Sequence, residues 1–487
     1  MMPTISTKMG GATVADADGL ILPVYTDEPI ASGLDARFDR RLAPTLAAAG
    51  FTGKRGEVAA YPTFGVLPAR WLILTGLGER ATVDNEMLRR AYGAAITQAR
   101  DAGARTVAVA LPVGVDAEGV SAIVEGIVLA LYHFATYKSH KGDPSKEVVS
   151  VELWSADMIP PGAVEHGQIV AAAVALARDM VNTISNDKTP PLIAAWAQRV
   201  SRESGLPCEV LDEKALASGG YNSILAVGKG SAAPPRLVEM VYEPSGGATK
   251  TVALVGKTIT FDSGGLDVKA QDNMYPMKND LGGGAAVLGA MQAIAAIKPN
   301  VRVIGIMAAA ENMPSGTAMR PSDVVTALNG KTFEIGNTDA EGRMVLADAV
   351  THAARAGADE IISVATLTGG VFGPRGAAAL GNDQALIDRF LAVAAAAGER
   401  LWQLPIWEEY RDDLHSDIAD IKSTGPRDAG AGTILAALFI GEFVEEIPWL
   451  HLDIAMAADT DRAGPYTPIG ATGVMVRSLI RYLEAVQ

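Results

Sequence analysis

Two short stretches of this sequence hold the side chains best suited to chemistry. One is KTITFDSGGLDVKAQDNMYPMKND, which places Lys257, Asp262, Lys269 and Asp280 close together along the chain. The other is Asn337-Thr338-Asp339-Ala340-Glu341-Gly342-Arg343. In an extended backbone, side chains two apart point the same way. That geometry would aim Asp339, Glu341 and Arg343 at one place. Asp262, Asp280, Asp339 and Glu341 all lie beside strongly apolar runs, where an unpaired carboxylate is costly. Two divalent cations would balance four negative charges, and carboxylate oxygens suit Mg2+, Mn2+ and Zn2+. Two such ions about 3.5–4 Å apart make a hydrolytic site that activates water and stabilises the new oxyanion. A simpler assignment of the same acids is helix capping, or pairing with Lys257, Lys269 and Arg343. Asp280, just ahead of Leu281-Gly282-Gly283, suits a cap.

The elements around these stretches indicate how they are held. TVALVG (residues 251–256) precedes the first stretch and reads as a buried strand, as do VRVIGIM (301–307), EIISVA (360–365) and WLHLDI (449–454). Helices fit between them, at roughly 285–297, 344–355 and 384–397. Met344, Ala347, Val350 and Ala354 recur three to four apart, as one buried helix face requires. Strands without strict alternation, separated by helices, imply a sheet covered on both faces. In such folds ligands sit beyond the carboxyl ends of the strands, which is where both stretches fall.

The first part of the chain also alternates strands and helices. WLILT (71–75) and TVAVAL (106–111) read as strands, with a helix between them over 84–102. His133 and His140 lie there without carboxylates at a useful spacing. A polar, Pro-containing stretch follows from Lys138 to Pro161, then an Ala-rich helix over about 164–182, and Pro190-Pro191 opens another helix. The expected fold class is α/β in two domains. A smaller N-terminal α/β domain spans 1–150 and a linker helix region spans 151–189. A larger C-terminal α/β domain spans 190–487, with a mainly parallel or mixed central sheet flanked by helices.

The chain has 487 residues, 56 acidic and 41 basic, for a formal net charge of −15. A polyanion would be repelled at long range, which disfavours nucleic acid as a partner. With one cysteine, Cys208, no intrachain disulfide can form, and a reducing cytoplasm is the expected compartment. One Cys and six His leave little for a zinc finger, so any metal must be held largely by acids. The apolar run Leu281–Ile297 is Gly- and Ala-rich, whereas a spanning helix needs about 20 strongly apolar residues. A buried helix is expected, with no membrane association. The first residues show no apolar signal core.

VGKTITFDSGG, the downstream MKND and above all NTDAEGR resemble the signatures of the leucyl aminopeptidases, the cytosol aminopeptidases of peptidase family M17. The resemblance continues through ENMPSG (311–316), ATLTG (365–369) and HLDIA (451–455), from about Ala177 onward. It implies a metal-dependent exopeptidase that releases N-terminal residues, Leu-like but with broad specificity, from peptides with a free N-terminus. Asp262 and Glu341 would bridge two metal ions. Lys257 and Asp280 would complete one site, and Asp339 the other through its side chain and carbonyl. The ions would be Mn2+ or Zn2+, with Mg2+ or Co2+ as further candidates.

By the same resemblance, Lys269 would polarise the scissile carbonyl and stabilise the gem-diolate, and Arg343 would hold a bicarbonate acting as general base. Asp280 would also receive the substrate's α-amine. Met277, Thr366, Leu367, Gly369 and Ala455 would line the pocket for the first side chain. Tyr275-Pro276 depart from the common pattern close to that pocket. Family members form hexamers, so a homohexamer is expected. Some bacterial members also bind DNA as architectural or regulatory proteins. That is the alternative function, which the acidic balance and the lack of a basic N-terminal stripe oppose.

Three weaker signals are set aside. Ser263 lacks the Gly-x-Ser-x-Gly context of a nucleophile elbow. Gly282-Gly283-Gly284 lacks the Lys-Ser/Thr ending of a phosphate loop and is expected to serve helix packing. Ala429–Thr433 (AGAGT) is expected to be an ordinary Gly-rich loop, with a place at the border of the substrate cleft as the alternative.

Overall fold

The computed structural model describes all residues except 1, 29–31, 141–146, 371–375, 427–429 and 487. The chain divides into two compact units, Met1–Ala171 with Arg462–Ile469, and Ala172–Asp461 with Gly470–Gln487. The division falls inside the long helix Ala163–Asn182.

The first unit is built on six strands: β1 (Thr4–Met9), β2 (Gly19–Tyr25), β3 (Val58–Pro62), β4 (Trp71–Gly78), β5 (Thr106–Ala110) and β6 (Ser150–Ser155). Their order is β1-β6-β5-β2-β4-β3, and only β3 runs antiparallel to its neighbour. Helices Asn85–Asp101 and Ala117–Ala130 start where Asp84 and Asp116 accept the backbone N–H of Met87 and Gly119, both at 2.7 Å. Strand β6 lies within the polar, Pro-containing stretch 138–161, to which the sequence analysis assigns no strand. Only Val151, Leu153 and Ser155 alternate inward, and this short signal sits among charged residues and prolines. Part of that polar run, residues 141–146, lies outside the described residues.

The second unit holds an eight-stranded sheet of order β15-β14-β17-β13-β9-β10-β8-β7. These strands are β7 (Cys208–Leu211), β8 (Arg236–Tyr242), β9 (Thr251–Asp262), β10 (Arg302–Asn312), β13 (Glu360–Ala365), β14 (Ala377–Gly381), β15 (Leu401–Gln403) and β17 (Trp449–Asp453). The central four, β17-β13-β9-β10, are parallel. A small sheet of β11 (Val324–Thr326), β12 (Thr332–Glu334) and β16 (Ile421–Lys422) lies apart.

Both faces of the central strands are covered, which is why their residues are apolar without alternation. Ala253, Val255, Ile304 and Ile306 pack with Met344, Leu346 and Val350 of the helix Glu341–Arg355. Gly305, on the other face, opens onto Met291 and Val287 of the helix Gly282–Ile297. That apolar helix is therefore a core element, as its Ala and Gly content implies. Its glycines serve close packing. A Cβ at Gly283 would lie 1.9 Å from the Val364 carbonyl oxygen, and one at Gly284 would lie 2.1 Å from Thr258 Oγ1. The start of the helix thus rests directly on β9 and β13.

Candidate metal centre

Strand β9 outlasts its neighbour. Its pairing with β13 ends at Gly256–Val364, whereas its pairing with β10 continues to Asp262–Asn312 across a bulge. Lys257 is therefore inside the strand, not after it, as the sequence suggested. The reason is that β10 runs on to Asn312 and keeps supplying hydrogen-bond partners. Residues 257–262 reach past the carboxyl end of β13, over the start of the helix Gly282–Ile297.

Lys257 is buried, and its Nζ donates to the Thr366 carbonyl at 2.8 Å. The same Nζ lies 2.8 Å from both Asp280 Oδ1 and Glu341 Oε1. A Cβ at Gly342 would lie 2.6 Å from Lys257 Cε, so a glycine there makes room for the lysine. Asp262 Oδ1 accepts from Gly264 N (2.9 Å) and Asn312 Nδ2 (2.8 Å). Its Oδ2 faces Lys269 Nζ at 2.9 Å, and Lys269 also lies 2.6 Å from Asp339 Oδ1. Asp280 does not cap the helix that follows it, because its Oδ1 is engaged by Thr366 Oγ1 at 2.7 Å. The pairing with Lys257 and Lys269 is present.

The extended geometry expected for Asp339, Glu341 and Arg343 is not found. Asp339 sits in a 3-10 turn, Thr338–Ala340, whose entry is capped by the Asn337 side chain. Glu341 opens the α-helix, and Arg343 lies in its first turn. Convergence comes from the tight turn and not from strand alternation. Arg343 Nη1 donates to the Ser423 carbonyl at 2.9 Å, just beyond β16. The Arg343 Nε is buried and has no hydrogen-bond partner among the described residues.

Oxygens of Asp262, Asp280 and Glu341 lie within 4.8 Å of one another. With Asp339 they make four carboxylates against two lysines. Burial and the neighbouring carboxylates push Asp280 well above the usual carboxylate range and raise Glu341, and they raise Asp339 to about 6. Burial pulls Lys257 down, but Asp280, Glu341 and Asp262 outweigh it and hold the ammonium above its ordinary pKa. Lys269 is raised in the same way by Asp262 and Asp339. Burial lowers Arg343 to about 10, which leaves it charged at neutral pH.

Among the described residues, Asp280 Oδ2 is buried without a partner, while Asp339 Oδ1 and Glu341 Oε1 meet the Lys269 and Lys257 ammonium groups at 2.6 and 2.8 Å. Excess negative charge, oxygen donors and an orphaned carboxylate oxygen together fit a divalent cation.

The residues expected to line a side-chain pocket gather at the same end of the sheet. Met277 is half-buried in the turn Met277–Asn279 that delivers Asp280. Thr366 is buried, Leu367 and Ala455 are half-buried, and Gly369 is exposed. Leu367 and Ala455 both donate their N–H to Asp453 Oδ1, at 3.1 and 3.2 Å. A cavity of about 780 Å³ lined by Leu225, Met319, Arg320 and Val325 contains none of these residues.

Sequence reasoning attached no role to Asn312 or Asp453, although both stand at strand ends beside the site. Ser263 Oγ donates to the Asn312 carbonyl at 2.7 Å, consistent with a structural serine. In the AGAGT segment, Ala429 lies outside the described residues, and Gly432 already begins the helix Gly432–Gly441.

A model of the catalytic domain of the cytosol aminopeptidase family matches residues 175–480, and a model of that family's N-terminal domain matches residues 21–141. A probable cytosol aminopeptidase of Geobacter sp. is 42% identical over 441 residues, 89% of each chain. Another, from Syntrophotalea carbinolica, is 39% identical and covers 99% of this chain and 98% of its own. Among solved structures, a mutant of tomato leucine aminopeptidase superposes with a TM-score of 0.90 at 32% identity, over 99% of this chain and 97% of its own. The bottromycin maturation enzyme BotP in complex with Mn superposes with a TM-score of 0.86 at 36% identity, over 96% and 99%.

Proposed function

The chain belongs to the cytosol aminopeptidase family and is a peptidase; from that premise, we propose that it is a two-metal aminopeptidase of broad, Leu-like specificity. The observation that carries this reading is the buried Asp262–Asp280–Glu341 cluster, with more carboxylate than its lysines neutralise.

Asp262 and Glu341 would be shared by both ions, Lys257 and Asp280 would hold one, and Asp339 the other. When bound, the ions supply Lewis acidity and an activated water. Lys257 could ligate a metal only as the neutral amine, so it would have to give up its proton to solvent on loading, as a metal's charge permits. Asp280 accepts a hydrogen bond from the substrate's free α-amine, which confines cleavage to the N-terminus. The Lys269 ammonium donates to the carbonyl oxygen as negative charge grows there, the role of an oxyanion donor. Arg343, with its free Nε, would hold a carbonate-like anion, which would supply a general base. An apolar pocket formed by Met277, Thr366, Leu367, Gly369 and Ala455 discriminates each methylene by only about 1–3 kcal/mol, hence the broad specificity. The working form is a cytoplasmic homohexamer.

Purified protein should release p-nitroaniline from Leu-p-nitroanilide when supplied with Mn2+ or Zn2+. No turnover with any divalent metal overturns the reading.

A further inference from the structure

The HLDIA segment contains a carboxylate that no step above uses. Asp453 closes strand β17, and its side chain is wholly buried. Oδ1 accepts from the N–H groups of Leu367 (3.1 Å) and Ala455 (3.2 Å). Oδ2 accepts from Thr368 N (3.1 Å) and Thr368 Oγ1 (2.7 Å). Thr368 Oγ1 also meets Thr433 Oγ1 at 2.6 Å, which extends the link to the first turn of the helix Gly432–Gly441. Burial raises the carboxyl's pKa, and the hydrogen bonds from Thr368, Ala455 and Leu367 oppose that rise.

These bonds join three segments at the end of the sheet: the chain leaving β13 and the chain leaving β17, whose strands are paired as far as Ala365 and Asp453, and a helix start. Two of the segments carry pocket residues, Leu367 and Ala455. Next along the first is Thr366, whose hydroxyl donates to Asp280 and whose carbonyl accepts from Lys257. Displacement of Leu367 or Thr368 is therefore passed to the pocket wall and to the partners of Asp280 together.

We propose that Asp453 is a positioning residue for specificity: its one carboxylate sets the width of the side-chain pocket and its register against Asp280 and Lys257. This rests on the aminopeptidase reading above. It differs from a merely structural role in what it predicts, because a carboxylate that only stabilises the core would lower the melting temperature and leave substrate preference alone.

The test uses the full chain with Mn2+, comparing Leu- and Ala-p-nitroanilide. In Asp453→Asn an amide NH2 replaces Oδ2. The Thr368 hydroxyl can rotate to accept from it, but the Thr368 N–H loses its 3.1 Å acceptor and keeps only the longer 3.4 Å contact to Oδ1. The Leu-to-Ala ratio of kcat/KM should fall about tenfold, the order of one methylene's discrimination, mostly through a higher KM for the Leu substrate. Thr368→Val, which removes only the hydroxyl links, should shift the ratio the same way by less. If Asp453→Asn does not fold, Thr368→Val decides. A folded variant that keeps the wild-type ratio, whatever its melting temperature, overturns the proposal while leaving wild-type turnover intact. Absence of wild-type turnover on both substrates overturns the aminopeptidase reading instead.

Discussion

The two units bury charge in opposite ways. In the first, Arg89 is fully buried, with Nε 2.8 Å from Glu125 and Nη1 2.7 Å from Glu86, and Glu86 also accepts from Tyr466. Cation and carboxylates there answer one another within a hydrogen-bonded group. In the second, Asp262, Asp280, Asp339 and Glu341 crowd around two lysines and retain an orphaned oxygen. The difference separates buried charge that holds a fold from buried charge that awaits a ligand. A paired group has settled its desolvation cost internally, whereas an overcharged one needs an outside cation to do so.

Three substitutions would break or sharpen that contrast. Glu125→Ala leaves Arg89 without a main partner and should destabilise the protein by about 3–5 kcal/mol. Chemical denaturation would measure the loss, and kcat per folded molecule should be unchanged. Lys269→Met should do the reverse, lowering kcat by about 10²–10³-fold, the usual cost of one oxyanion donor. Its circular dichroism should match the wild type. A stability loss without a kcat loss would place Lys269 with Arg89 as a structural cation.

The smallest effect concerns pH. Asp339 has its pKa raised from 3.8 to about 6 in the metal-free fold. The native state then binds that proton more tightly than the unfolded chain does. The resulting stabilisation is complete below pH 3.8 and lost as pH rises through about 6. Asp339→Asn removes this term. Without metal, its melting temperature should gain on the wild type between pH 4 and pH 6 and then run parallel. A constant difference across that range would show that Asp339 is not strained by its neighbours.

Much of this was legible in the residues. TVALVG, EIISVA and WLHLDI are mostly apolar and show no strict alternation because helices cover both faces of their sheet, so they read as buried strands. The helix over 341–355 showed its buried face through Met344, Ala347 and Val350. Strand β6 was missed because half of it faces outward and its neighbours are charged. The end of β9 was placed too early because Lys257 is polar and a hydropathy pattern stops there, and β10 was ended at Met307 because the alanines 308–310 that follow favour a helix more than a strand. Those strand ends carry the site, so the pattern fails where the chemistry begins.

Residue types determined by themselves that four carboxylates, two lysines and an arginine stand near strand ends, and which family's motifs they form. Only the tertiary structure decided how they meet. Asp339 and Glu341 converge through a 3-10 turn running into a helix, a choice made by the Asn337 cap and by packing against β9. Asp280 faces Lys257 and Thr366 instead of capping its helix. Asp453 reaches Leu367, Thr368 and Ala455 because β13 and β17 are neighbours in one parallel sheet. Local sequence sets backbone preference and side-chain chemistry, but carboxylates far apart in the chain share a site only when a folded sheet brings its strand ends together.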